Sequence, residues 1–107
     1  MKMVKAILKP ERFGFVRKAL EDKEFISMIM TEVRGRGAQK GISLEYRGCL
    51  MTVDMLPKIQ IVVRDSEVDT LISTISESAR TGKIGDGKIF VMPVEKSIRI
   101  RTGETEV

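Results

Sequence analysis

With 107 residues, 42% of them hydrophobic and 32% charged, and a formal charge of +4, the chain has room for one folded domain and is too apolar for a disordered polypeptide. The absence of histidine removes the commonest general base and metal ligand, and the lone Cys49 leaves neither an internal disulfide nor a cysteine-based metal spacing. No apolar run is long enough to cross a bilayer, and Lys2 and Lys5 interrupt the first stretch, so no signal peptide is apparent and a cytoplasmic location is expected.

Met3, Lys5 and Ile7 alternate with Val4, Ala6 and Leu8, which reads as a central strand ended by Pro10, a residue suited to a helix start. Phe13, Val16 and Leu20 then fall at helical spacing, with Arg17, Lys18, Glu21 and Asp22 on the remaining face and Gly14 lowering the propensity by roughly 1 kcal/mol. Residues 25–34 read as a second strand. From 35 to 53 no period of 2 or 3.6 is sustained, and Gly35, Gly37, Gly41 and Gly48 stand among Arg36, Lys40, Glu45 and Arg47. A loop of that length in a compact domain is usually functional or disordered.

Leu56-Pro57-Lys58 re-enters the fold, and residues 59–63 read as a short strand. Ser66-Glu67-Val68-Asp69 has capping-box spacing, and Val68, Leu71, Ile72, Ile75 and Ala79 give an amphipathic helix with Gly82 as its C′ residue. Residues 88–92 form a strand and 98–101 a short edge strand. The order predicts an α+β fold: a ferredoxin-like βαβ-βαβ sandwich in one domain, with a long loop between strands 2 and 3 and a short extra C-terminal strand. Two helices on one sheet face leave the other uncovered, with Met3, Met28, Ile61 and Val91 expected on it, and self-association is the economical way to cover them.

The stretch 80–90 joins the second helix to the last long strand and carries Gly82, Gly85 and Gly87 beside Lys83 and Lys88. Such glycines allow left-handed backbone and bring amide N–H groups close to a ligand. Arg99 and Arg101, two apart, share a face if they lie on a strand, and guanidinium groups suit bidentate phosphate contacts. A phosphate-bearing ligand is therefore expected, against the plainer reading of a flexible turn with solvated lysines. Neither glycine-rich stretch meets the P-loop or dinucleotide pattern. The rival from another class is a basic ferredoxin-like nucleic-acid-binding module, which would want aromatic platforms where Ile59, Ile61, Ile89 and Val91 are aliphatic.

Thr31-Glu32-Val33, Gly35, Gly37, Gln39-Lys40-Gly41, Tyr46-Arg47-Gly48, Val53-Asp54, Leu56-Pro57-Lys58, the run from Arg80 to Val91, and Ile98 to Glu104 resemble the PII nitrogen-regulatory signal transduction proteins over nearly the whole chain. The resemblance implies a non-enzymatic homotrimer that senses ATP or ADP, Mg²⁺ and 2-oxoglutarate. It also implies a mobile target-binding loop at 36–53. Carried over position by position, it places nucleotide at Ile7, Gly35, Gly37, Gln39, Gly85, Asp86, Gly87, Lys88, Phe90, Arg99 and Arg101, with the two arginines supplied by a neighbouring subunit. It places 2-oxoglutarate at Gln39, Lys40, Gly41 and Lys58, Mg²⁺ at Gln39, and target contacts at Tyr46 and Arg47. The implied targets are an ammonium channel, glutamine synthetase or nitrogenase, with no nucleic acid and a membrane reached only through a channel. Three positions and one strand length depart from the family pattern. Met51 stands where many members carry a uridylylated tyrosine, Cys49 replaces a phosphorylatable serine, Ile29 replaces a threonine, and the strand after Lys58 is two residues shorter.

Overall fold

The computed structural model describes residues 1–35, 42–46 and 49–106, with side-chain surroundings for 1–33 and 56–106. Its elements are β1 (Lys2–Leu8), α1 (Phe13–Asp22), β2 (Ile29–Gly35), β3 (Ile42–Tyr46), β4 (Cys49–Val63), α2 (Val68–Ala79), β5 (Gly87–Pro93), β6 (Ser97–Ile98) and β7 (Thr105–Glu106). Single 3₁₀ turns, Pro10–Arg12 and Asp65–Glu67, lead into the two helices. The main sheet runs β2-β4-β1-β5, antiparallel at every step, which is the ferredoxin-like order expected.

Alternation along β1 decides which face is covered. Val4, Ala6 and Leu8 are about 1% exposed, and their partners Ile61 and Ile59 on β4 are buried with them. Val16 and Leu20 of α1 and Leu71 and Ile75 of α2 close this core from above, each at most 2% exposed. Burying side chains of that size stabilises by roughly 1.5–3 kcal/mol each. The helices are also tied end to end. Arg12 donates from Nε and Nη2 to the Ser78 carbonyl near the C-terminus of α2, at 3.1 and 2.6 Å, while its guanidinium lies 4.2 Å over the Phe15 ring.

Several local expectations are corrected. The strand expected at 59–63 is the last third of β4, a 15-residue strand. Pro57 reads as a break, yet it lies one residue beyond the last β1 pair, Ile7 with Lys58, where one side of β4 is open and a missing N–H is tolerated. The stretch without periodicity also carries β3, which pairs with the start of β4 from Ile42 opposite Val53 to Tyr46 opposite Cys49.

β2 begins at Ile29 rather than at 25 because α1 ends in a Schellman motif. Glu24 takes a left-handed φ of 68°, its N–H donates to the Glu21 carbonyl at 3.0 Å, and the Phe25 N–H reaches the Leu20 carbonyl at 2.8 Å. The capping box does not form. The 3₁₀ turn occupies Ser66, no side chain caps α2, and Asp65 instead receives the N-terminal ammonium at 2.7 Å. Gly82 is left-handed at φ 80°, but α2 ends earlier, with Arg80 extended. Nor is 98–101 a strand. The Arg99 N–H donates to the Glu104 carbonyl at 2.9 Å and the Gly103 N–H to the Arg99 carbonyl at 2.7 Å, closing a tight β6–β7 hairpin that carries Arg101 in its turn.

The expected open face is present, with different occupants. Directly opposed residues share a face in an antiparallel pair, so Ile61 and Val91, both opposite Val4, lie on the helix side, and Met28 packs against the core. Of the four residues expected there, Met3 alone is on it. Three rows cross it: Val62, Met3 and Met92; Ile29, Gln60, Lys5 and Phe90; Thr31, Lys58, Ile7 and Lys88.

Candidate functional site

The glycine loop between α2 and β5 takes its shape from three backbone positions and one carboxylate. Gly82, Gly85 and Gly87 have φ of 80°, 91° and 107°, values that L side chains rarely adopt. Gly87 also has no room for a side chain, since a Cβ there would stand 1.8 Å from the Ile7 carbonyl oxygen. Asp86 closes the loop on itself. Its Oδ2 accepts the Thr81 and Gly82 N–H groups, each at 2.9 Å, and its Oδ1 accepts the Thr81 hydroxyl. The Thr81 oxygen in turn accepts the Lys83 N–H at 3.2 Å. The Asp86 carboxyl is held well below its ordinary range, first by the Thr81 hydroxyl and then by the Thr81 N–H; partial desolvation opposes this, and Gly82 and Lys9 add to it.

Lys9, at the end of β1, supplies the cation. Only 6% exposed, it sets its ammonium 3.2 Å from Thr81 Oγ1 and 3.4 Å from Asp86 Oδ1. Beside this clamp is a cavity of about 340 Å³ bordered by Ile72, Ser76, Arg80, Gly87 and Lys88. Its lining joins apolar surface to Arg80 and Lys88, with Asp86 also on its border but already bonded to Thr81, Gly82 and Lys9, which leaves the two cations as the charges open to a ligand with an apolar or planar body.

The sites expected from the sequence are distributed as follows. Ile7, Lys58 and Lys88 fall in one row of the open face, at the sheet end from which the glycine loop emerges. Phe90, 48% exposed, lies one row away opposite Lys5. Gly85 and Gly87 present loop backbone there, whereas the Asp86 carboxylate is committed to holding the loop. Gly35 ends β2, separated from β5 by β4 and β1. Arg99 and Arg101 are not brought to this site within one chain. They follow β5, whose six steps from Gly87 to Pro93 span about 20 Å. Arg99 borders a separate groove of about 600 Å³ near Met1, Arg64 and Glu67. Gly37, Gln39, Lys40, Gly41 and Arg47 lie outside the described residues; Tyr46 is placed by its backbone in β3.

Sequence reasoning missed Lys9, Thr81 and Arg80 as working residues. Thr81 and Arg80 stood inside the glycine-rich stretch without a role. Lys9 carried no signal at all, since a lysine after a strand reads as solvated. For the nucleic-acid alternative, Ile59, Ile61, Ile89 and Val91 all lie on the helix side, and the open face offers Phe90 as its described aromatic. Among the described residues there is no group of three or more metal-ligating acidic or cysteine side chains, and no helix is long and apolar enough to cross a membrane.

A ferredoxin-like sandwich with a β3–β4 hairpin, a clamped glycine loop and a cationic row defines a ligand-binding architecture that the fold alone does not assign to a function. Known proteins make the class specific. The family model "Nitrogen regulatory protein P-II" matches residues 1–104. The chain is 52% identical over 107 residues to "Nitrogen regulatory protein P-II 2" of Methanothermobacter thermautotrophicus, covering 98% of this chain and 93% of that one. It is 55% identical over 106 residues to "Nitrogen regulatory protein P-II" of Pasteurella multocida, covering 97% and 95%, and 53% identical over 108 residues to that of Klebsiella oxytoca, covering 99% and 96%. The chain belongs to the P-II family of nitrogen-regulatory signal transduction proteins, which regulate target proteins and are not enzymes.

Proposed function

We propose that this P-II protein senses the adenine nucleotide pool and 2-oxoglutarate, and passes that state to a target through residues 36–53. The observation that carries the reading is the clamped glycine loop. Its left-handed glycines hold backbone in a shape that bends around an anion, next to Lys88, Ile7 and Lys58 in one row. In this reading Gly85 and Gly87 offer backbone groups to nucleotide phosphates and Lys88 offers charge. Ile7 and Phe90 supply apolar surface, and Lys58 pairs with a carboxylate of the oxoacid.

Arg99 borders a groove near Met1, Arg64 and Glu67, at the opposite end of β1 from the glycine loop, and Arg101 follows in the β6–β7 turn, so in this reading the two arginines come to nucleotide from a second copy. Their placement supports an assembly in which binding and subunit contact are coupled, and the apolar row Val62, Met3 and Met92 supplies a surface for it. A closed homotrimer is the assembly proposed. Gln39 is assigned by family resemblance; its amide oxygen is a hard donor of the kind Mg²⁺ takes, and bound Mg²⁺ would offset phosphate charge. Gly35, Gly37, Lys40 and Gly41 are the further backbone contacts, and Tyr46 and Arg47 face the target. An ammonium channel, glutamine synthetase and nitrogenase are the candidate targets, in the cytoplasm.

Calorimetric titration of 2-oxoglutarate tests the reading. Binding is expected with MgATP present and lost with ADP, and the coupling must be reciprocal. Equal 2-oxoglutarate affinity with and without nucleotide would contradict it.

A further inference from the structure

We propose that Lys9 is the positioning residue of the glycine loop, holding it closed through Asp86 and Thr81 before any ligand arrives. Lys9 is the one described lysine that the fold buries, at 6% exposure, and it lies on β1's exit rather than on the loop it contacts. A buried ammonium is costly without a partner, and here the partners are Asp86 Oδ1 at 3.4 Å and Thr81 Oγ1 at 3.2 Å. Both atoms already close the loop: Asp86 gathers the Thr81 and Gly82 N–H groups, and Thr81 gathers the Lys83 N–H. Lys9 thus neutralises the carboxylate on which the loop is wound and fixes that loop to the core strand β1.

The ammonium is held at the clamp, 3.2 Å from Thr81 Oγ1 and 3.4 Å from Asp86 Oδ1, and its side chain is enclosed rather than open to solvent. It therefore acts on ligand through the loop's shape and not by contact. That part of the inference rests on the nucleotide reading; loop closure itself does not.

The test is amide hydrogen exchange on the ligand-free protein, comparing wild type with Lys9→Met, Asp86→Asn and the double variant. Lys9→Met keeps the apolar stem and removes the charge. Exchange at Thr81 and Gly82 should quicken on the order of tenfold in either single variant, while the core amides of β1 and α2 keep their protection. The double variant should be no looser than the looser single one, because the two residues act as one unit. Unchanged exchange at Thr81 and Gly82, an equal loosening of the core, or additive losses would each overturn the inference. Lys9→Gln carries the same expectations if Lys9→Met does not fold. ATP affinity should fall by a similar factor in Lys9→Met. Failure of the wild-type protein to bind ATP would remove the nucleotide reading and leave the exchange result to decide the clamp.

Discussion

Two glycines of one loop separate backbone strain from steric exclusion. Gly82 has φ 80° and open space around a Cβ, so Gly82→Ala should cost only the left-handed penalty, about 1–2 kcal/mol. Gly87 at φ 107° adds a clash with the Ile7 carbonyl, which is fixed in the β1–β5 ladder, and Gly87→Ala should cost roughly 3 kcal/mol or more. Urea denaturation of both variants checks this; equal midpoints would refute the distinction. Asp86 gives a residue-scale prediction in pH. Its carboxyl is held lower in the fold than in the unfolded chain, so it stabilises above the ordinary carboxylate range, and the contribution is lost as pH falls through the folded value. The stability gap between wild type and Asp86→Asn should therefore hold steady above about pH 5 and narrow progressively as the pH falls below it. A gap that stays constant would show that the charge of Asp86 is not what matters.

Among the elements, α1 has the most readily improved end. Its Schellman motif places Glu24 where glycine is normally used, at φ 68°, and both hydrogen bonds of the motif are formed. Glu24→Gly should raise stability by about 1 kcal/mol, since the left-handed penalty disappears and the bonds remain. Thermal denaturation should show a higher midpoint, and a lower one would mean that the glutamate side chain contributes something the geometry does not show. The same motif explains why a run of apolar residues beginning at Phe25 is not a strand from its start. Periodicity located α1, α2 and β1 well because each has one covered face, whereas β5, none of whose residues is buried, was found from its apolar run after the glycine loop. Periodicity did not locate β3 or the first half of β4, because residues 35–53 sustain neither a period of 2 nor one of 3.6.

At the scale of the molecule, the open sheet face has to be covered or tolerated. Val62 and Phe90 are 45% and 48% exposed on it, with Met3 and Met92 between and beside them. If three copies close over this face, light scattering should give three times the 12.0 kDa chain mass. Val62→Asp should leave circular dichroism unchanged while reducing the mass to one chain, because it buries an unpaired charge only in the assembly. A wild-type mass of one chain, or a Val62→Asp protein that still assembles, would count against that surface.

The amino-acid sequence by itself determined the two helices, the strands β1 and β5 and the glycine loop, because these depend on local periodicity and on residue types at short spacing, and its likeness to known proteins over nearly the whole chain pointed to the family. Tertiary structure alone decided which side of the sheet Ile61 and Val91 occupy, since a strand's two faces are equivalent until its neighbours are placed. Above all it decided the role of Lys9, whose contacts to Thr81 and Asp86 cross more than seventy residues of sequence. An ion pair between distant positions has no local pattern, and only folding brings its two charges together.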